Sequence, residues 1–258
     1  MAQGSGLGPL ADGGGAHLFR QVKRRLLELI EKRHYAPGDC LPSESDLSAT
    51  LGVSIGTLRK AVDELVHEHV LIRRQGKGTF VTQHNHDRFL FQFFHVEQRD
   101  RDIYQQPEYP QVQCLGFERA RAASEDVVAL GLREGDPVFR VANVLTLGGR
   151  PTVYDQIAVS ALLFKGLTER RLVERPGTIY QFYQQEFGIT VLRAQERARA
   201  VAASREVARV LNVPPGQPVL QIHRTALTFG DKPVEYRIST VNTQFCDYVS
   251  DLSRPRGQ

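Results

Sequence analysis

The segment AASEDVVALGLREGDPVFRVANVLTLGGRPTVYD, from residue 122, returns as AASREVARVLNVPPGQPVLQIHRTALTFGDKPVEY from residue 202. Ser124 matches Ser204, Gly135-Asp-Pro137 matches Gly216-Gln-Pro218, and Gly148 to Pro151 matches Gly230 to Pro233. A duplication of this length constrains the fold strongly, because whatever one copy folds into the other must repeat. Each copy predicts a short helix, a tight Gly-x-Pro turn, a long strand, a hairpin and a second strand. Two such units can pair through their strands into one antiparallel sheet with pseudo-twofold symmetry. Residues 177–189, GTIYQFYQQEFGI, read as a helix packed over that sheet. The junction of the two copies is then the natural place for a ligand pocket. Ahead of the repeat, FLFQFFHV at 89–96 has strand character, and QRDRDIYQQPEYP after it is loop-like.

The first third of the chain follows a different pattern. HLFRQVKRRLLELIEKR, residues 17–33, carries an apolar stripe at helical spacing and stops before Ala-Pro-Gly at 36–38. In LPSESDLSATLGVS, Ser43 can cap a short helix with Asp46 three residues on, and Gly52 ends it. Ser54 opens a third helix, with Leu58, Ala61, Val62 and Leu65 on its buried side. Two short helices across a tight Gly-containing turn predict a helix-turn-helix. LIRRQGKGTFV then gives two short strands around Gly76-Lys77-Gly78, a wing that lifts Lys77 clear of the fold. A winged helix of this kind lays its third helix in the DNA major groove and its wing tip near the minor groove. Ser54, Thr57, Arg59 and Lys60 are residue types that contact phosphates and bases. The alternative is a winged helix that binds protein, or a plain solvated turn.

Charge permits nucleic acid without proving it. The net charge of +4 is densest in residues 17–83, which hold 11 Lys/Arg against 8 Asp/Glu, compared with 22 against 20 beyond them. No run approaches the roughly 18 apolar residues of a membrane span. The Gly-rich start reads as a tail, not as a secretory signal. Cys40, Cys114 and Cys246 are far apart and lack metal spacing, so reduced thiols, a cytoplasmic location, and neither metal nor cofactor are expected. His84 and His86 read as linker, with no third ligand nearby in sequence.

PSESDL, GVSIGTLRKAVDEL and RRQGKGTFV together resemble the N-terminal signature of the GntR-type transcription regulators. The family often has arginine where this chain has Ser45 and Ile55, which implies weaker phosphate contact or a different operator. The resemblance gives Arg59 the recognition-helix role, in a DNA-binding set of Ser43, Glu44, Ser45, Ser54, Thr57, Arg59, Lys60, Arg74, Gly76, Lys77, Gly78 and Thr79. YPQVQ, GDPVFRV, TIYQFYQQEFGI, GQPVLQIHR and KPVEYR resemble the effector domain of the HutC subfamily, the UTRA domain, with a chorismate-lyase-like fold. Such relatives bind small metabolites and release DNA in response. The resemblance implies effector contacts at Gln92, Phe93, Asn143, Leu145, Asp155, Thr178, Tyr180, Arg224 and Glu235. Relatives that bind sugar phosphates carry an arginine pair where this chain has Asn143 and Leu145. Two guanidiniums would cradle a phosphate dianion, so their absence argues against a phosphosugar. Arg224 reads either as the remaining anion anchor or as a structural ion pair, with Glu235 as one partner. Asp155 and Glu235 read as ends of equivalent strands, either facing ligand or as solvent-facing edge carboxylates. Tyr180 reads as core or as ligand contact.

The expected fold class is α+β: a tail at 1–16, a winged helix-turn-helix at 17–83, a linker at 84–88, an antiparallel-sheet effector and dimerisation domain at 89–252, and a tail at 253–258. The expected function is a ligand-responsive repressor that binds a pseudo-palindromic double-stranded operator as a homodimer. An architectural DNA binder and a lyase-like enzyme are the alternatives. No P-loop, G-x-S-x-G, H-E-x-x-H or Cys/His cluster supports the enzyme.

Overall fold

A computed structural model describes residues 15–84, 93–99 and 109–250. They divide into two compact units at Gln83/His84.

The first unit holds α1 (Gly15–Glu31), α2 (Glu44–Leu51), α3 (Ile55–His67) and a hairpin of β1 (Leu71–Arg74) and β2 (Gly78–Val81). Its helical boundaries follow local chemistry. Ser43 accepts the Asp46 N–H at 3.1 Å and Ser54 accepts the Thr57 N–H at 3.1 Å, so each short helix starts on a hydroxyl cap. Gly52 closes α2 in the left-handed region at φ 67°. Helix α1 begins at Gly15, inside the expected tail, and ends at Glu31, because Arg33 adopts a positive φ. Val22, Leu26 and Ile30 of α1, Leu47 and Leu51 of α2, and Leu58, Val62 and Leu65 of α3 are all buried, with α3 packed against both other helices. Lys23 ties α1 to α3 through Glu64 at 3.0 Å and Glu68 at 2.5 Å.

The second unit is built on a six-stranded antiparallel sheet of order β4-β5-β6-β9-β8-β7. The strands are β4 (Gln111–Arg121), β5 (Pro137–Leu147), β6 (Arg150–Ser160), β7 (Arg193–Ala202), β8 (Pro218–Leu227) and β9 (Pro233–Val241). The repeat is therefore one strand longer than its matched sequence, since β4 and β7 precede the two Ala-Ala-Ser segments as the sheet edges. The copies meet at β6 and β9, where Gln156 pairs with Ile238 and is flanked by Asp155 opposite Ser239 and Ile157 opposite Arg237. That register makes Asp155 and Arg237 symmetry equivalents; Asp155 and Glu235 lie on equivalent strands, as expected, but at different positions along them.

Helices α4 (Ser124–Leu130) and α7 (Arg205–Leu211) cover one face in exchange, α7 lying on β6 of the other copy and α4 on β9. Tyr154 donates to Glu206 at 2.6 Å, and its counterpart Tyr236 donates to Glu125 at 3.4 Å. On the opposite face α5 (Glu169–Val173) and α6 (Ile179–Phe187) bring Leu172, Tyr180, Phe182 and Tyr183 against Val141, Ile157 and Val159. Helix α6 fits the expected helix at 177–189; α5 has no counterpart in the sequence reading. A two-stranded ribbon pairs β3 (Val96–Gln98) with β10 (Cys246–Tyr248). Phe93 to His95 are not strand, contrary to the extended reading of 89–96. His84 is buried, not linker: its ring packs near Phe93 and Tyr180, and its N–H donates to Gln184 at 2.9 Å.

Candidate functional site

Two sites follow from this framework. On the first unit, burial of Leu58, Ala61, Val62 and Leu65 leaves Ile55, Arg59 and Asp63 on the exposed side of α3. Ser54 and Thr57 bond each other through their hydroxyls at 2.9 Å at the start of that helix. Arg59 is not loose: its Nε donates to Glu44 Oε2 at 3.0 Å. Arg73 donates to the other Glu44 oxygen at 3.0 Å and also pairs with Asp63. Glu44, in the first turn of α2, thus holds one arginine from the helix and one from the wing. Exposed pairs of this kind contribute about 0–1 kcal/mol, so a phosphate or guanine edge can replace the carboxylate at little cost. Ser43 and Ser45 bond each other at 2.8 Å beside Glu44.

The wing turn is made by Gly76 and Gly78 at φ 69° and 114°, conformations that side chains resist, and it leaves Lys77 exposed at the tip. Thr79 lies in β2, its carbonyl accepting the Leu41 N–H at 2.8 Å. Two cations of the expected set rest on aromatic rings. The Lys60 ammonium lies 4.3 Å over the Phe19 ring, and the Arg74 guanidinium 4.8 Å over Phe80. Each sits one helical or strand step off the face that carries Arg59 and Arg73, and each finds an aromatic ring there. Arg73 is the residue that sequence reasoning missed. Strand alternation was its signal, because it shares a face with Leu71 and points back toward the helices.

On the second unit the sheet face beneath α6 carries a buried charge network. Arg237 donates Nη1 to Asp155 at 2.9 Å, and Nε and Nη2 to the two oxygens of Glu235 at 3.0 Å each. Glu235 also accepts from Tyr180 at 3.0 Å and Tyr183 at 2.8 Å, and Asp155 accepts from Ser239 at 2.5 Å. Asp155 and Glu235 are 2% and 0% exposed, which overturns the reading of them as edge carboxylates. Burial pushes the Tyr180 and Tyr183 phenols well above their ordinary range, with the Glu235 charge adding to it. Arg224 pairs with Glu196 at 2.5 Å rather than with Glu235. Burial drives the Glu196 carboxyl up, but Arg224 and the Tyr248 hydroxyl outweigh it and leave the group below its ordinary value.

Above this network opens a narrow cleft that encloses about 20 Å³, lined by Tyr109, Asn143, Leu145, Asp155, Arg175 and Arg237 among others. Asn143 and Asp155 face each other across the β5–β6 ladder. Of the sequence-predicted effector residues, Asn143, Leu145 and Asp155 line the cleft. Tyr180 and Glu235 lie in the buried network, Thr178 is fully buried and caps α6 by accepting the Gln181 N–H at 3.1 Å, and Phe93 is in the core. Arg224 is absent from the lining, and Gln92 lies outside the described residues. Arg175 and Arg237 were missed. The repeat itself could have found Arg237, because the shared Pro151/Pro233 register makes it the counterpart of Asp155. Among the described residues no group of three or more His, Cys, Asp or Glu is placed to hold a metal ion.

The sequence matches the bacterial regulatory proteins of the gntR family over residues 18–81 and the UTRA domain over residues 105–245. It is 27% identical to the mannosyl-D-glycerate transport/metabolism system repressor MngR of Escherichia coli (strain K12), over 93% of this chain and 96% of that protein. It is 28% identical to the histidine utilization repressor of Pseudomonas putida, over 86% of each chain. Among solved structures, the ligand-binding domain of a GntR-family regulator from Bordetella bronchiseptica superposes with a TM-score of 0.57 at 33% identity, covering 62% of this chain and 96% of that one.

Proposed function

Because this chain belongs to the GntR family of bacterial regulatory proteins and carries a UTRA domain, we propose that it represses transcription as a cytoplasmic homodimer on a pseudo-palindromic operator and lets go when a small metabolite fills the cleft. Ligand-responsive, DNA-binding transcription regulation is the family's activity, and catalysis is not. Twofold symmetry in the protein demands twofold symmetry in the DNA, with α3 of each protomer in one half-site. Arg59 with Ser54 and Thr57 reads bases and backbone, and Lys77 at the wing tip binds phosphate.

The observation that carries this reading is the cleft at Asn143 and Asp155, a polar-floored opening in a unit that shares its chain with a helix-turn-helix. A ligand there biases the protein toward a dimer geometry whose recognition helices no longer match half-site spacing. Coupling of this kind is worth about 1–3 kcal/mol, or several-fold to roughly a hundredfold in operator affinity. Asn143 and Leu145, in place of an arginine pair, favour an effector other than a phosphosugar.

The test is selection of bound fragments from genomic DNA, followed by light scattering of the complex. An inverted repeat bound by two chains supports the reading. A single unrepeated site bound by one chain overturns it.

A further inference from the structure

Among the described residues, the cleft contains one cation that no carboxylate answers. Arg237 is committed to two carboxylates and Arg224 to Glu196. Arg175, just past α5, donates Nη1 to the Leu172 carbonyl, while its buried Nε has no partner among the described residues. No carboxylate among the described residues pairs with it. Burial pulls its pKa below the usual arginine value; its charged or polarisable neighbours are the Tyr183 and Tyr109 phenols, the Arg237 guanidinium and the Cys114 thiol. A half-buried guanidinium with a buried Nε and no carboxylate partner among the described residues, held at the wall of an open cleft, is prepared for an anion from outside.

Charge balance on the cleft floor narrows the ligand. Asp155, Glu235 and Arg237 together carry one net negative charge, so they repel a dianion and favour a hydrogen-bond donor. Asn143, directly across from Asp155, offers both a donor and an acceptor. We propose that Arg175 is the anion anchor of the cleft and that the effector is a small organic carboxylate bearing a hydroxyl or amine. The carboxylate docks on Arg175, and the donor end sits between Asn143 and Asp155. This rests on the cleft being the effector site, and it gives that site a ligand class.

The experiment uses the full chain and a panel of hydroxy- and amino-carboxylic acids, each beside its own primary amide, with sugar phosphates and neutral sugars as comparators. Binding is read by thermal shift and then by calorimetric titration. The acids bind and their amides do not. Arg175→Gln weakens the bound acids about 10- to 100-fold, the range of a lost charge-assisted hydrogen bond. Arg175→Lys recovers part of the loss, and both variants are first checked for an unchanged melting transition without ligand. Val112→Trp, at the exposed edge of the cleft, blocks the acids altogether. Acids that bind Arg175→Gln as tightly as the parent, amides that bind as well as acids, or a ligand set with no acid in it would each overturn the anchor. If Val112→Trp leaves binding intact, the cleft itself is wrong. If Val112→Trp blocks the acids and Arg175→Gln does not weaken them, the cleft stands and only the anchor falls.

Discussion

Replacing Arg237 with methionine removes the cation that answers Asp155 and Glu235. The side chain makes three hydrogen bonds to these two carboxylates, and all three residues are 5% exposed or less. Methionine fills similar volume, so little of the effect comes from a cavity. Breaking a buried pair by removing one partner costs about 3–5 kcal/mol, because a charge is left in low dielectric with no counterion. For a unit of this size 1 kcal/mol moves the melting temperature by about 2–4 °C, so Arg237→Met should lower it by roughly 6–20 °C. The assay is scanning calorimetry at neutral pH on the variant and on Asp155→Asn/Glu235→Gln/Arg237→Met. The triple variant has no stranded charge and should recover at least about half of the loss, since the three sites are coupled. A single-variant shift below about 3 °C, or a triple variant no better than the single one, would refute the reasoning.

Other outcomes follow from the same geometry. Arg59→Ala should weaken operator binding and relax base preference, whereas Lys77→Ala should weaken all duplexes alike and reduce the salt slope by about one, both read by anisotropy titrations over a salt series. Ser54→Ala removes the α3 cap and should cost the DNA-binding unit about 1 kcal/mol, measured by urea denaturation. Burial lowers the His223 pKa, with the Arg199 guanidinium adding to it, so the folded protein holds that proton less tightly than the unfolded chain does. Its stabilising contribution is therefore complete above the unfolded value of about 6.5 and is lost as pH falls through that value toward the lower folded pKa; His223→Gln should flatten this part of the stability–pH curve.

The parts of the fold that were legible in the sequence are those fixed by local chemistry. Ser43, Ser54 and Gly52 set the helix ends, Gly76 and Gly78 set the wing, the paired Gly-x-Pro turns lead into the long strands, and Gly148 and Gly230 set the duplicated hairpins. Strands β4 and β7 were not legible. As sheet edges they are charged and half-exposed, and RAQERARAVA shows no apolar alternation to mark it as strand. Asn143 and Asp155, which the resemblance implies as effector contacts, both line the cleft. Arg237 was hidden because an arginine on a strand reads as solvent-facing until its two carboxylate partners, one of them in the other copy, are seen. Arg224 was legible as charged but not as paired, because Glu196 lies on a strand that the sequence did not announce. The directions of Lys60 on α3 and Arg74 on β1 were not legible, because they depend on the Phe19 and Phe80 rings, which other elements supply.

The central claim is that occupancy of the sheet-domain cleft changes the grip on DNA. It is tested most directly by titrating the full chain against a fluorescent operator, with and without a carboxylate that raises its melting temperature, in parent and Val112→Trp protein. The account predicts a several-fold or larger loss of operator affinity in the parent, and none in the variant, whose unliganded affinity should match the parent's. Equal operator affinity with and without a ligand shown to occupy the cleft would contradict it.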